Sequence, residues 1–363
     1  VTTQAKPRIA LWDNARFVLI VLVVVGHTIS TIRTDTALGF GLYAYIYLFH
    51  MPAMILLSGL FARPTTDQKM VRSTLQLLAT WGLWEGIWAV IRFAVEGRTP
   101  GNSFLVSPAW TLWFLVTLIT MRILLPFFAR MKHPLIVSIV IALGAGLLPG
   151  LGTEFSAART LTFLPFFIAG WLIRDRGWVD GEWFTAPSRA LRAGAWSLLG
   201  VVALGFVFAP GLRATWRIDR WLTWRDDYAW LFSKPPVFPW EPTSWGATAL
   251  SGTLVTSVLL AVAAAMTFAL LIVVPRGHGR ITEWGTRTMA VYLLHGPIIY
   301  TLRETGAVEW IGASGWPGVL ALVALGVAIT LVLSAGWVTR LSRPLISPNI
   351  DWILAPEPQP ARR

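Results

Sequence analysis

The 363-residue chain contains no cysteine. That excludes a disulfide framework and an acyl-cysteine intermediate, and it leaves the redox compartment unreadable. Charge is scarce as well. Only 13% of the residues are Asp, Glu, Lys or Arg while 55% are apolar, too little polar surface for a water-soluble protein of this size. Acidic residues are the scarcer sign, 18 against 30 basic ones, for a net charge of +12. The basic residues stand in short clusters between apolar runs rather than in one stripe, so orientation in a bilayer accounts for them better than nucleic acid does. No repeat of fixed period is present, which weakens a transporter built from inverted halves. No pair of histidines or acids has a metal-ligand spacing such as i, i+4, and a metal site has no support.

What is present is a series of about ten apolar runs of bilayer length, near 14–32, 39–62, 73–94, 109–129, 134–150, 158–173, 191–210, 247–274, 286–302 and 317–339. The expected fold is therefore all-α: one polytopic membrane domain over 1–345, then a disordered tail over 346–363. Basic clusters follow every second run, at Arg63/Lys69/Arg72, Arg130/Lys132, Arg174/Arg176/Arg189/Arg192, Arg276/Arg280 and Arg340/Arg343, with Lys6 and Arg8 ahead of the first. This pattern places both termini in the cytoplasm of a cell whose plasma membrane holds the protein. The first run has no small-residue cleavage site after it and reads as an uncleaved span. The segment 211–246 breaks the charge pattern. It carries Arg213, Arg217, Arg220, Arg225 and Lys234 among Trp216, Trp221, Trp224, Trp230, Trp240 and Trp245, the composition of an interfacial anchor or a lid over an acceptor site.

Polar residues inside apolar runs are costly in hydrocarbon and point to function. In RFVLIVLVVVGH, Arg16 and His27 lie eleven positions apart, nearly the same azimuth of a helix at depths differing by roughly 16 Å. Gly26 leaves room beside the histidine for a substrate or a neighbouring backbone. The second run, IYLFHMPAMILLSGLF, is interrupted by His50, Pro52, Ser58 and Gly59. Ser58 suits helix packing better than nucleophilic attack. Glu85 stands among tryptophans in TWGLWEGIW, Trp110 and Trp113 open the fourth run, and His295 sits beside a Gly-Pro break in MAVYLLHGPII. Each of these has a plain structural reading too, as a helix-packing or interfacial residue.

Taken in order, these residues resemble the acyltransferase 3 family of integral membrane acyltransferases. The matching parts are Arg16 to His27, FHMPAMILLSGLF, the WFL of the fourth run, LPFFIAGW at 164–171 and VYLLHGPII at 291–299. The opening WDNARFVLIVLVVVGH with IYLFHMP is most similar to the branch of bacterial fucose 4-O-acetylases. The resemblance implies transfer of an acyl group, usually acetyl from cytoplasmic acetyl-CoA, to a hydroxyl of a sugar or glycolipid of the cell envelope. It also implies that His27 is essential and that Arg16 holds the donor or supports the histidine.

On that footing the donor phosphates are expected among Arg16, Lys69, Arg72 and Arg130, with the pantetheine arm running toward His27 as general base. Asp13 is roughly 21 Å of helical rise from His27, so a carboxylate orienting the imidazole must come from another helix, and Glu85 is the candidate. His50 or His295 is expected to polarise the carbonyl or bind the acceptor, with Ser58 and Trp113 also on the acceptor side. Direct transfer is preferred to an acyl-histidine. The main alternative is a transporter or flippase of a lipid-linked sugar, which would need no acyl-CoA.

Overall fold

A computed structural model describes residues 9–207, 209, 211–237 and 241–354. Lys6, Arg8, Trp240 and the last nine residues lie outside the described residues. Among the described residues the chain is helical, with no strand. Its long helices are α1 (Ala10–Ile29), α2 (Ala37–Leu60), α3 (Gln68–Glu96), α4 (Trp113–Phe128), α5 (Pro134–Ala145), α6 (Ala157–Asp175), α7 (Arg189–Val207), α8 (Trp245–Val273), α9 (Thr288–Glu304) and α10 (Trp316–Leu333). They fall where the apolar runs predict them. Six are long and apolar enough to cross a membrane: α1, α2, α6 with its preceding turn, α7, α8 and α10. The others are shorter, with 16, 12 and 17 residues in α4, α5 and α9, or interrupted by charge, as α3 is by Arg72, Glu85 and Arg92.

Local chemistry sets the ends. Thr36, Asp67 and Ser244 accept hydrogen bonds from Gly39, Met70 and Ala247 backbone N–H groups at the starts of α2, α3 and α8, satisfying donors that the first turn leaves open. Gly97 ends α3 at φ 68°, a left-handed conformation natural to glycine.

α1 and α2 lie at the centre, α1 packed against α2, α9 and α10, and α2 against α6, α7 and α8. The contact of α2 with α6 is backbone on backbone. A Cβ on Gly59 would overlap the Phe167 carbonyl, and one on Gly170 would overlap the Leu56 carbonyl. Small residues permit this approach, which maximises dispersion contact where no water drives association. The start of α1 is fastened by Asn14, whose side chain donates to the carbonyls of Pro275 (2.8 Å) and Gly277 (3.1 Å) and accepts from the Thr282 hydroxyl (2.8 Å).

Two segments without long helices are nonetheless packed. The described part of 211–246 turns inward, burying Ile218, Trp221, Leu222, Tyr228 and Leu231, while Trp230 and Trp245 stay exposed. It is thus a cap more than an anchor. The described part of the segment 346–363 is packed against α3. Trp84 donates to the carbonyl of Leu345 (2.8 Å), Thr80 to that of Ile346 (3.3 Å) and Gln76 to that of Pro348 (2.8 Å), and Ile350 is buried. The polar groups of α3 that sequence left without partners find them in these carbonyls.

Candidate active site

Where α1 ends, a cavity of about 340 Å³ opens between α1, α2, the start of α4, α6, α9 and the cap. α1 supplies Val23 and His27, followed by Ser30 and Arg33; α2 supplies Tyr43, Tyr47, His50, Met51 and Met54. These are the helix faces that the 3.6-residue repeat turns together. Pro108, Trp110, Thr111 and Trp113 form one wall, and the cap closes another with Leu222, Thr223, Trp224 and Arg225.

The histidines form a directed chain. His295 Nδ1 is 2.9 Å from the carbonyl of Val291, one turn back on α9. A carbonyl can only accept, so Nδ1 of His295 carries the proton and its Nε2 is left as an acceptor. That Nε2 is 2.9 Å from Nδ1 of His27. For neutral rings, His27 Nδ1–H therefore donates to His295, and His27 Nε2 presents a lone pair. The two rings stack at 5.1 Å between centroids, and Trp110 lies 5.0 Å from His27 on another side. His50 repeats the logic: its Nδ1 is 2.7 Å from the Ile46 carbonyl, which leaves its Nε2 as an acceptor in a residue lining the same cavity.

The surroundings hold this chain in place. The space that Gly26 leaves is filled by Tyr47, to whose ring a Cβ at 26 would come within 3.0 Å. Tyr47 stacks on Tyr43 at 3.8 Å. Arg303, in the last turn of α9, donates through Nη2 to the His27 carbonyl and to Ser30 Oγ, and its guanidinium lies 4.2 Å over Trp110. It thereby joins the Ser30 hydroxyl, which also donates to the His27 carbonyl (3.1 Å), in closing the end of α1. Tyr292 donates to the Thr111 carbonyl at 2.5 Å, tying the wall to α9.

The cap is latched to the end of α1 by charge. Asp219, fully buried, accepts from Arg33 Nε (2.9 Å) and from Arg217 Nε (2.8 Å) and Nη2 (2.9 Å). Burial alone would raise its carboxyl; the bonds from Arg217 and Arg33 outweigh burial and hold it below the usual carboxylate range. Arg213 donates to the Thr34 carbonyl (2.7 Å) and Arg159 Nε to that of Thr223 (3.0 Å). Trp224 sits at φ 55°, a conformation uncommon for bulky side chains, with its indole N–H donated to the Tyr47 carbonyl (3.3 Å).

Of the residues singled out in the sequence, His27, His50, His295 and Trp113 meet here. Glu85 does not orient His27. Its Oε1 accepts from Trp81 (3.0 Å) and from the Ala109 N–H (2.8 Å) beside a separate cavity of about 210 Å³. It instead fixes the chain just before Trp110, while the partner expected of a carboxylate is a third histidine. Ser58 Oγ donates to the Met54 carbonyl at 2.8 Å, the packing role, away from the cavity. Arg16 lies at the opposite end of α1, 3.2 Å from Asp13 and 4.5 Å over the Phe61 ring. Lys69 lines a 260 Å³ recess near Phe61 with Arg63 and Arg122. Arg72 is 2.5 Å from Asp351 at the surface and Arg130 is exposed. Arg33, Arg159, Arg303, Tyr43, Tyr47 and Asp219 were missed by sequence reasoning. The available signal was arginine at helix ends that lack a basic cluster. Among the described residues no group of three His, Asp or Glu could hold a metal ion.

A cluster of imidazoles, one presenting a basic nitrogen at a cavity lined by arginine, tyrosine and tryptophan, thus lies inside a bundle of apolar helices. The acyltransferase-domain family Acyl_transf_3 matches residues 9–335, and the chain belongs to that family: it is a membrane acyltransferase. No curated protein and no solved structure matches it.

Proposed function

We propose that the protein transfers an acyl group, acetyl in the simplest case, from cytoplasmic acyl-CoA to a hydroxyl of a sugar or glycolipid of the cell envelope, with His27 as general base. The observation that carries this reading is the bond from His27 Nδ1 to His295 Nε2, which leaves His27 Nε2 as the basic atom at the cavity. A base must be neutral, fixed in tautomer and within reach of the proton it takes. In the reaction the acceptor O–H gives its proton to His27 Nε2 as its oxygen attacks the thioester carbonyl. The tetrahedral intermediate collapses with cleavage of the C–S bond, and the thiolate of CoA recovers the proton from the imidazolium. His295 then serves as the hydrogen-bond acceptor for that imidazolium, the part a carboxylate plays in hydrolase triads.

The donor enters from the end of α1 that carries Arg16, with the ten long helices as the spans and both termini on that side. Arg16, Lys69, Arg72 and Arg130, joined by Arg63 and Arg122, supply the cationic groups there, and the pantetheine arm covers the roughly 16 Å of α1 to His27. The acceptor enters under the cap. Trp110, Trp113, Tyr47 and Trp224 line its space, flat apolar faces suited to sugar rings, in keeping with the resemblance of the first two helices to fucose 4-O-acetylases. His50 Nε2 accepts a hydrogen bond from the acceptor.

Transfer of labelled acetyl from acetyl-CoA to the lipid and glycan fraction of membranes tests the reading. His27→Ala should lower it about 10²–10⁴-fold in a variant that folds; full activity would refute the base.

A further inference from the structure

The charge of the cavity says more about the acceptor than its shape does. Arg33, Arg159 and Arg225 line it together with His27 and His50, and among the lining residues there is neither Asp nor Glu. Two of the arginines are answered by acids set behind the wall. Arg33 donates to Asp219 and, through Nη1, to the Ser30 carbonyl (2.5 Å). Arg225 meets Asp226 at 3.4 Å, and Asp226 also takes the Thr223 hydroxyl. Arg159 is different. Its Nε donates to the Thr223 carbonyl and its plane lies 4.6 Å over the Trp113 ring. No described residue accepts from its two terminal nitrogens.

A guanidinium cannot shed its charge and has five N–H donors in a planar fork that matches carboxylate or phosphate oxygens. Left in a cavity walled by tryptophan and phenylalanine, its four terminal hydrogens call for an anion. On the acyl-CoA reading the donor does not provide one, because its phosphates remain at the Arg16 end and the pantetheine arm is uncharged. The anion belongs to the other substrate.

We propose that the acceptor is an anionic hydroxy compound, a sugar bearing a carboxylate or a phosphate, whose anionic group is bound by Arg159 with Arg225 beside it, while a neighbouring hydroxyl faces His27. This rests on the acyltransferase reading for the role of His27. The cap then takes part in selection, since Thr223 positions Arg159 and Arg225 belongs to the same turn.

The test is thermal unfolding of the full chain purified in detergent, without acyl-CoA, in the presence of methyl glucuronide, glucose 1-phosphate, inorganic phosphate or neutral methyl glucoside. Ligands that bind the folded state raise its Tm. One or both anionic sugars should raise it more than methyl glucoside and inorganic phosphate do, and which one does so distinguishes carboxylate from phosphate. Arg159→Gln should weaken that binding at least about tenfold. Arg159→Lys, which keeps the charge and loses the bond to Thr223, should retain part of it and guards against a mere loss of fold. Equal stabilisation by neutral and anionic sugars, none by any of them, or anionic binding that survives Arg159→Gln each overturns the proposal. An arm with acetyl-CoA keeps the two readings apart: wild-type protein that acetyl-CoA does not stabilise speaks against the donor assignment, whatever the sugars do. Should Arg159 serve only the oxyanion of the intermediate, the anionic sugars bind no better than the neutral one.

Discussion

His295→Ala is the sharpest perturbation of the histidine chain. The side chain is fully buried and its Nε2 lies 2.9 Å from His27 Nδ1, so on the proposed mechanism it positions the base rather than meeting the substrate. In the resting enzyme that bond joins two neutral rings and contributes about 1 kcal/mol. On the proposed mechanism His27 carries the proton of the acceptor in the transition state, its Nδ1–H becomes a charged donor, and such bonds contribute about 1.5–3 kcal/mol. The rate reads the difference between the two states, about 0.5–2 kcal/mol, so loss of the acceptor should lower kcat about 2- to 30-fold, with the KM for acetyl-CoA little changed. His295→Gln, whose amide oxygen can accept from Nδ1–H, should recover part of the loss. Because the two histidines act as one unit, His27→Ala with His295→Ala should be no slower than His27→Ala alone. The assay is labelled acetyl transfer in membranes at saturating acetyl-CoA, with Tm measured on each purified variant. Wild-type turnover in a folded His295→Ala protein would refute the chain, and so would a double variant whose loss is the product of the two single losses.

Gly170→Ala should be among the most damaging substitutions of one methyl group, since its Cβ would strike the Leu56 backbone; overpacking of this kind costs about 1–3 kcal/mol or more, read as a fall in Tm. Asp219→Asn removes the counter-charge of two guanidiniums whose side chains are 28% and 22% exposed, so about 1–3 kcal/mol of cap docking is expected to go, less than for a fully dry pair; faster proteolysis within 211–237 measures it. Asp219 titrates below its usual range in the folded protein, so its contribution is complete at neutral pH and is lost as pH falls below about 4; cap proteolysis should rise there in the wild type and be flat with pH in Asp219→Asn. Arg16→Ala should raise the KM for acetyl-CoA with kcat nearly unchanged; the reverse pattern would make Arg16 a support for α1 instead of a donor contact.

The order and positions of the long helices were legible because each is an apolar run, and a run is a local property. Their ends were legible to within several residues for the same reason, and the caps at Thr36, Asp67 and Ser244 set them in the structure. The site was half legible. A histidine in an apolar run is conspicuous: His27 and His50 line the cavity, and His295 is bonded to His27 behind its wall. Their pairing was not, because the bond between His27 and His295 spans 268 positions and no spacing encodes it. Glu85 misled for the opposite reason: it is the conspicuous acid, yet its local partners Trp81 and Ala109 consume it. Arginines were discounted as topology markers, although Arg159 and Arg303 face inward. The cap, short of apolar runs, looked like an interfacial stretch until its buried face was matched by α2 and α6.

The contact of α3 with residues 345–348 carries a consequence for biosynthesis. The donors of Gln76, Thr80 and Trp84 on α3 are met by carbonyls at 345–348, more than 260 positions later. α3 is made well before residues 345–348, so its Gln76 amide and Trp84 indole must be held by lipid headgroups, water or a chaperone until that segment follows, because buried donors left open are costly. Thr80 is spared, since its hydroxyl also donates to the Gln76 carbonyl (2.8 Å) on its own helix. Folding of α3 into its final place is thus coupled to the arrival of a segment far along the chain.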